Sequence, residues 1–415
     1  MRRLAKPALS IIATCALALA CTACSADGDD APGQDPVTVW IMGDSGANFA
    51  RLVEPFTSQT GVEVEVVAIP WDGIDERLTT AVASDAGPDL VQIGLSKLRM
   101  FADAGALLPL DDEIVGHPGL APANFADGVA GAATAVDGQI VSVPWISDTR
   151  VLFYRSDILS QNGIADPPTT WSELRDQAQT LAGRGSGQYG YYIPQWDSAL
   201  PVLMTWSNGG DIVDPQGQVD FDTPAFARTV ETYAGLYADG SVPTNSDFDQ
   251  TQGFISGIAP LLISGPYLAK SINDAAPELA GQWSVATVPQ GSGSATSVFA
   301  GSNMGVWHST DQKQAALDLL EFLSRPATQL EWYSINGELP TAKAALSDSA
   351  LTGDPLVRVY SAQLEDARVL PMVPNWDGGV GQDLLTALNS IVLQGADPDR
   401  TLADLYARTG SVSAR

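Results

Sequence analysis

Gly43-Asp44-Ser45-Gly46 lies on a turn after an apolar run, which is where a hydrolytic serine would sit. Such a serine needs a base, most often histidine. The sequence holds two histidines, His117 and His308, and three residues before them stand Ile114 and Gly305, so neither completes an Asp-x-x-His pair. No histidine precedes Ser45, as a Gly-Asp-Ser-Gly protease arrangement would require. No enzyme is therefore expected. Three tryptophan–carboxylate pairs in apparent loops point to binding instead: Trp71-Asp72, Trp196-Asp197 and Trp376-Asp377. Sugars present apolar C–H faces and rings of hydroxyls, so a sugar binder pairs flat aromatic platforms with acceptors. Trp40, Trp171, Trp283 and Trp307 fall within regular apolar patterns and are assigned to cores.

A calcium loop fails on spacing. Asn245, Asp247 and Asp249 alternate as its first ligands would, but Gln250 stands where glycine belongs and Ser256 where the closing glutamate belongs. Cys21 and Cys24 form a C-x-x-C without a second pair or histidines nearby, so neither zinc nor another metal is expected, and no cofactor.

The elements that must carry these loops alternate. Val37 to Met42 is an apolar run of strand length, and Phe49, Leu52, Val53 and Phe56 then recur at helical spacing before Gly61, a C-cap glycine. Val62 to Pro70 reads as a strand, Ile74, Leu78 and Val82 as a helix, and Leu90 to Ile93 as a short buried strand. Strand, helix, strand, helix, strand predicts parallel pairing in an α/β fold. Val151 to Tyr154 opens a further stretch, and Thr170-Trp171-Ser172-Glu173 is a capping box. Helices are also predicted near Ala225 to Asp239, Gln312 to Leu323 and Leu384 to Leu393.

A chain of 415 residues is too long for one core, so two domains are expected. Its 49 acidic against 21 basic residues give a net charge of −28, which repels phosphate backbones and excludes nucleic acid as a partner. Arg2, Arg3 and Lys6 precede an apolar stretch from Pro7 to Ala20 that is too short to span a bilayer, the pattern of an export signal. Ser25 to Pro36 is acidic, contains glycine and proline, and reads as a tether.

Leu17-Ala18-Leu19-Ala20-Cys21 resembles the lipobox of bacterial lipoproteins, with Cys24 as the alternative lipidated cysteine. Beyond it, "VWIMGDSGANFARLVEPFTSQTGVEVEV", "GPDLVQIG", "VPWISDTRVLFYRSDIL", "TWSEL", "WSNGGD", "ISGPYLA", "FAGSNMGV" and "GELPT" follow in order. Together they resemble the family 1 extracellular solute-binding proteins, the maltose-binding-protein-like group serving carbohydrate ABC importers. The resemblance implies a type II periplasmic-binding-protein fold, two hinge-connected α/β lobes with the ligand cleft between them. It places a signal peptide at 1–20, a lipidated tether at 21–36, one lobe at 37–146 plus 303–346, and the other at 147–302 plus 347–415. It also implies ligand contacts from Asp44 and Ser45 after the first strand, Asp148 and Arg150 at the crossover, Tyr267 after Gly-Pro, Asn303 at the return crossover, and Trp376 as a second platform. The partners implied are a neutral di- or oligosaccharide, the membrane permease of an ABC importer, and the outer face of the cell membrane through the lipid, with the protein itself a monomer. The alternatives are a non-sugar solute, glycerol phosphate or a polyamine, and a GDSL-like serine hydrolase resting on the Ser45 turn alone.

Overall fold

Val37–Met42 (β1) carries apolar side chains on both faces, as a strand covered by helices on both sides must. It pairs in parallel with Val64–Ile69 (β2) on one side and Leu90–Gly94 (β3) on the other. The computed structural model describes residues 35–70, 73–126, 135–136, 138–245, 248–373 and 375–413. The signal stretch, the tether up to residue 34, Cys21, Cys24, Trp71, Asp72 and Asp247 lie outside the described residues. β2 forms the sheet edge and keeps Glu65 exposed, a charge that discourages pairing with a further strand. The remaining strands follow as a short hairpin, Ala135–Val136 (β4) with Gln139–Ile140 (β5), and then Val143–Ile146 (β6), Val151–Tyr154 (β7) and Tyr191–Tyr192 (β8). After them come Leu261–Ser264 (β9), Ser284–Ala286 (β10), Ser297–Phe299 (β11), Ser302–Val306 (β12) and Ala367–Val369 (β13).

Two sheets dominate. The first has the order β2-β1-β3-β12-β6, with β12 antiparallel to both neighbours, and the second has the order β10-β7-β9-β8. The first sheet is covered on one face by the helix Gly46–Thr60, whose Phe49, Leu52, Val53 and Phe56 are all buried at the predicted spacing. Burying each such side chain is worth about 1.5–3 kcal/mol. Gly61 ends this helix in the left-handed region at φ 76°, its N–H donating to the Thr57 carbonyl. In the second half, Thr170 caps the helix Trp171–Ala182: its hydroxyl accepts from the Glu173 N–H, and the Glu173 carboxylate accepts from the Thr170 N–H. The other predicted helices are Pro224–Ala238, Lys313–Ser324 and Val380–Gln394. Trp40, Trp171, Trp283 and Trp307 are buried in the cores.

The chain changes sheet twice at closely spaced points. β6 runs into β7 through Ser147 to Arg150, and β11 runs into β12 through Ala300 and Gly301. Backbone bonds stitch these crossings together: Ala300 N–H donates to the Asp148 carbonyl at 2.8 Å, and Ser147 N–H to the Leu339 carbonyl at 2.9 Å. The approach is so tight at Gly301 that a Cβ there would meet the Ile146 carbonyl oxygen at 2.1 Å. β12 also shifts register against β6 at Ser302/Asn303, a bulge of the kind that re-aims side chains beside a site.

Candidate functional site

A cavity of about 1070 Å³ lies at these crossings. It collects the turns that leave the C-terminal ends of β1, β3 and β9, and in open α/β sheets ligands bind beyond such ends. From the first sheet come Asp44 and Ser45 after β1, and Ser96 and Lys97 after β3. From the second come Asp148, Arg150, Trp196, Asp197 and Tyr267. Eight of the twelve residues singled out from the sequence therefore line one cavity, with Asp377 as the eighth.

Arg150 is the hub of its second-sheet wall. Its Nη1 donates to Asp148 Oδ2 at 3.2 Å, and its Nε stands 3.7 Å from Asp197 Oδ2, too far for a hydrogen bond. Asp148 Oδ1 and Arg150 Nε are buried with no hydrogen-bond partner among the described residues. Burial is the strongest influence on Asp148 and raises its carboxyl from 3.8 to about 6, with the Asp197 carboxylate adding to the rise and Arg150 opposing it. Burial works against the charge on Arg150, but the carboxylates of Asp148 and Asp197 outweigh it and hold the guanidinium more firmly protonated than usual. Gly265, just before Pro266 and Tyr267, leaves the space this pair occupies. A Cβ would meet Asp148 Oδ1 at 2.5 Å and Arg150 Nη1 at 2.8 Å. Tyr267 opens the helix Tyr267–Ala275, and its hydroxyl accepts from Ser264 Oγ at 3.1 Å. Trp196, 62% exposed, is the most exposed tryptophan among the described residues and faces this cavity.

The opposite wall is built around Glu338. Its Oε2 accepts from Asn336 Nδ2 at 2.7 Å and from Trp332 Nε1 at 2.8 Å, and the same Asn336 amide donates to Ser45 Oγ at 3.1 Å. Burial raises the Glu338 carboxyl, and the carboxylates of Asp148 and Asp44 push it further against those two hydrogen bonds. Gln92 ties the floor together, accepting from Met42 N–H at 3.0 Å and donating to Ser302 Oγ at 2.7 Å.

Two of the expected ligand contacts are placed elsewhere. Trp376 is only 1% exposed and packs in the second core, its indole N–H donating to Ser198 Oγ at 3.0 Å, so it offers no free face to a ligand. Asn303 is also buried at 1%, donating to Ser142 Oγ at 2.9 Å within the first sheet. Strand alternation points its neighbour Ser302 into the cavity instead. Gln92, Asn336, Glu338, Ser96, Lys97 and Ser302 line the cavity without having been singled out. Gln92 had a readable signal, a polar side chain inside the buried run Leu90 to Ile93.

Residues 41–330 match the family model of the bacterial extracellular solute-binding proteins. The chain belongs to this family. This solute-binding protein is similar to the diacetylchitobiose binding protein DasA of Streptomyces coelicolor, 24% identical over 392 residues that cover 89% of each chain. Among solved structures it is similar to the sugar-binding protein MalE of Xanthomonas citri, 27% identical with a TM-score of 0.82, covering 90% of this chain and 96% of that one. The fold is shared as well with UgpB of Mycobacterium tuberculosis, solved in complex with glycerophosphocholine, at 22% identity and a TM-score of 0.79, covering 91% and 98%. The two-lobe periplasmic-binding-protein fold expected from the sequence is the fold of this protein, and its role is that of the extracytoplasmic substrate-binding protein of an ABC transporter.

Proposed function

We propose that this protein captures a di- or oligosaccharide between its lobes and delivers it to the permease of an ABC importer while held to the outer face of the cell membrane by a lipid on Cys21, or alternatively Cys24. The lobes run over 37–146 plus 303–346 and 147–302 plus 347–415, joined at the sheet crossings. The observation that carries the sugar reading is Trp196, an exposed indole in a cavity otherwise rich in carboxylates and amides. An aromatic face stacks on pyranose C–H groups, and the Asp148, Asp197 and Glu338 oxygens take hydroxyl hydrogens. Asp44, Ser45, Arg150, Tyr267 and Asp377 complete the contacts. Trp71 and Asp72 belong to the same proposal through their loop.

Charge weighs against glycerol phosphate. Each carboxylate about 5 Å from a phosphate would cost about 3 kcal/mol at an effective dielectric of about 20. A hydrolase is not favoured either, since Ser45 Oγ is engaged by Asn336, while His117 faces Glu321 at 3.3 Å and His308 faces Asp85 at 4.0 Å.

A thermal-shift series on the purified protein tests the reading, with mono-, di- and oligosaccharides, glycerol phosphate and spermidine as ligands. A saccharide present at about a hundred times its Kd adds about 2.7 kcal/mol to the folded state, a rise of several degrees. A response to glycerol phosphate or spermidine with none to any saccharide would overturn the sugar reading. For the anchor, Cys21→Ser should release the protein from the membrane fraction. Release by Cys24→Ser alone would move the lipid to Cys24.

A further inference from the structure

The cavity has an imbalance of charge that a purely neutral ligand does not use. Six carboxylates line it, those of Asp44, Asp148, Asp197, Asp274, Glu338 and Asp377, against the three cations Lys97, Arg150 and Lys270. Each cation already has a partner. Lys97 Nζ is 2.9 Å from Asp377, Lys270 Nζ is 2.7 Å from Asp274, and Arg150 lies between Asp148 and Asp197. Asp44 and Glu338 are left with no cation among the described residues, and Arg150 serves two carboxylates with one charge. The cavity is thus short of about three positive charges, and Asp148 Oδ1, in its wall, is buried and has no hydrogen-bond partner among the described residues. Asp44 adjoins Ser45, which the Asn336 amide ties to Glu338, and Asp148 lines the same cavity. Gathering uncompensated carboxylates in one partly buried space costs free energy unless a cation joins them.

We propose that the ligand is a saccharide carrying a protonated amine, with its ammonium held among Asp44, Asp148 and Glu338 and one ring face stacked on Trp196. This rests on the sugar-binding reading above and narrows it to a cationic class. An ammonium offers three donors and no acceptor, which matches a pocket whose spare groups there are carboxylate oxygens.

The test compares saccharides that differ at one group. Calorimetric titration at neutral pH is run with a glucosamine disaccharide, its N-acetylated form and cellobiose, which share a β-1,4 skeleton. Spermidine serves as the sugar-free cation. The amine-bearing disaccharide should bind at least about tenfold tighter than its neutral counterparts, and the gap should close to about threefold or less in Asp44→Asn/Glu338→Gln. The wild-type comparison stands by itself if that variant does not fold. Equal or tighter binding of the acetylated or hydroxyl form overturns the cationic class and leaves the sugar reading intact. Binding of spermidine with no saccharide bound overturns both.

Discussion

Lys97 Nζ and Ser96 Oγ both reach Asp377 Oδ2 at 2.9 Å, joining the helix that follows β3 to the loop that feeds the helix Val380–Gln394. The first two residues belong to the first sheet's side of the cavity, and Asp377 follows Trp376, which packs in the second core. This contact links the two sides of the cavity. In two-lobe binding proteins the ligand shifts an open–closed equilibrium, so a link between the two sides that favours the closed form adds to apparent affinity. Asp377 is 43% exposed, which limits such a pair to about 0–1 kcal/mol. Lys97→Ala is therefore expected to weaken ligand binding by no more than about fivefold, with the difference shrinking at high salt, as titration calorimetry at two salt concentrations will read.

Trp196 and Trp376 predict opposite phenotypes. Trp196→Ala removes an exposed face and should leave the unfolding midpoint nearly unchanged while saccharide affinity falls about tenfold or more. Trp376→Ala removes a core side chain and should cost about 3–5 kcal/mol in urea unfolding. A large affinity loss in a stable Trp376→Ala protein would return the platform to that residue.

Asp148 makes stability depend on pH in a stated direction. Its folded pKa, about 6, lies above the ordinary 3.8, so its contribution to stability is fully present below about pH 4 and is lost as pH rises through 6. Asp148→Asn cannot ionise. Its stability relative to the native sequence should therefore rise by up to about 3 kcal/mol between about pH 4 and pH 7 and stay flat above. Chemical unfolding of both proteins across that range checks it, and a difference that does not change with pH would mean the carboxyl titrates normally.

Gly265→Ala should act on the site from outside it. The added methyl would press on Asp148 and Arg150, displacing the pair that shapes the second-sheet wall. Loss of saccharide affinity by about tenfold or more is expected, with a fall in the unfolding midpoint of several degrees. Unchanged affinity would show that the pair can move without consequence for binding.

Local sequence was a good guide wherever local physics decides. The apolar run of β1, the buried stripe Phe49, Leu52, Val53 and Phe56, the Gly61 C-cap and the Thr170 capping box each follow from residues within a few positions of one another. The ordered motifs likewise identified the family from the chain alone.

Which side chains share the cleft was decided by tertiary structure. Asn303 and Ser302 are neighbours in sequence, and only the direction of β12 and its bulge against β6 determine that the serine faces the cavity. Trp196 and Trp376 each precede an aspartate in an apparent loop, yet packing buries the second and exposes the first. Glu338 meets Asn336 and Trp332 from its own segment, but Ser45 reaches that network from nearly three hundred residues away. Pattern in sequence reports what a residue does to its own helix or strand. Contacts between segments this distant depend on how the sheets cross, and no local spacing carries that information.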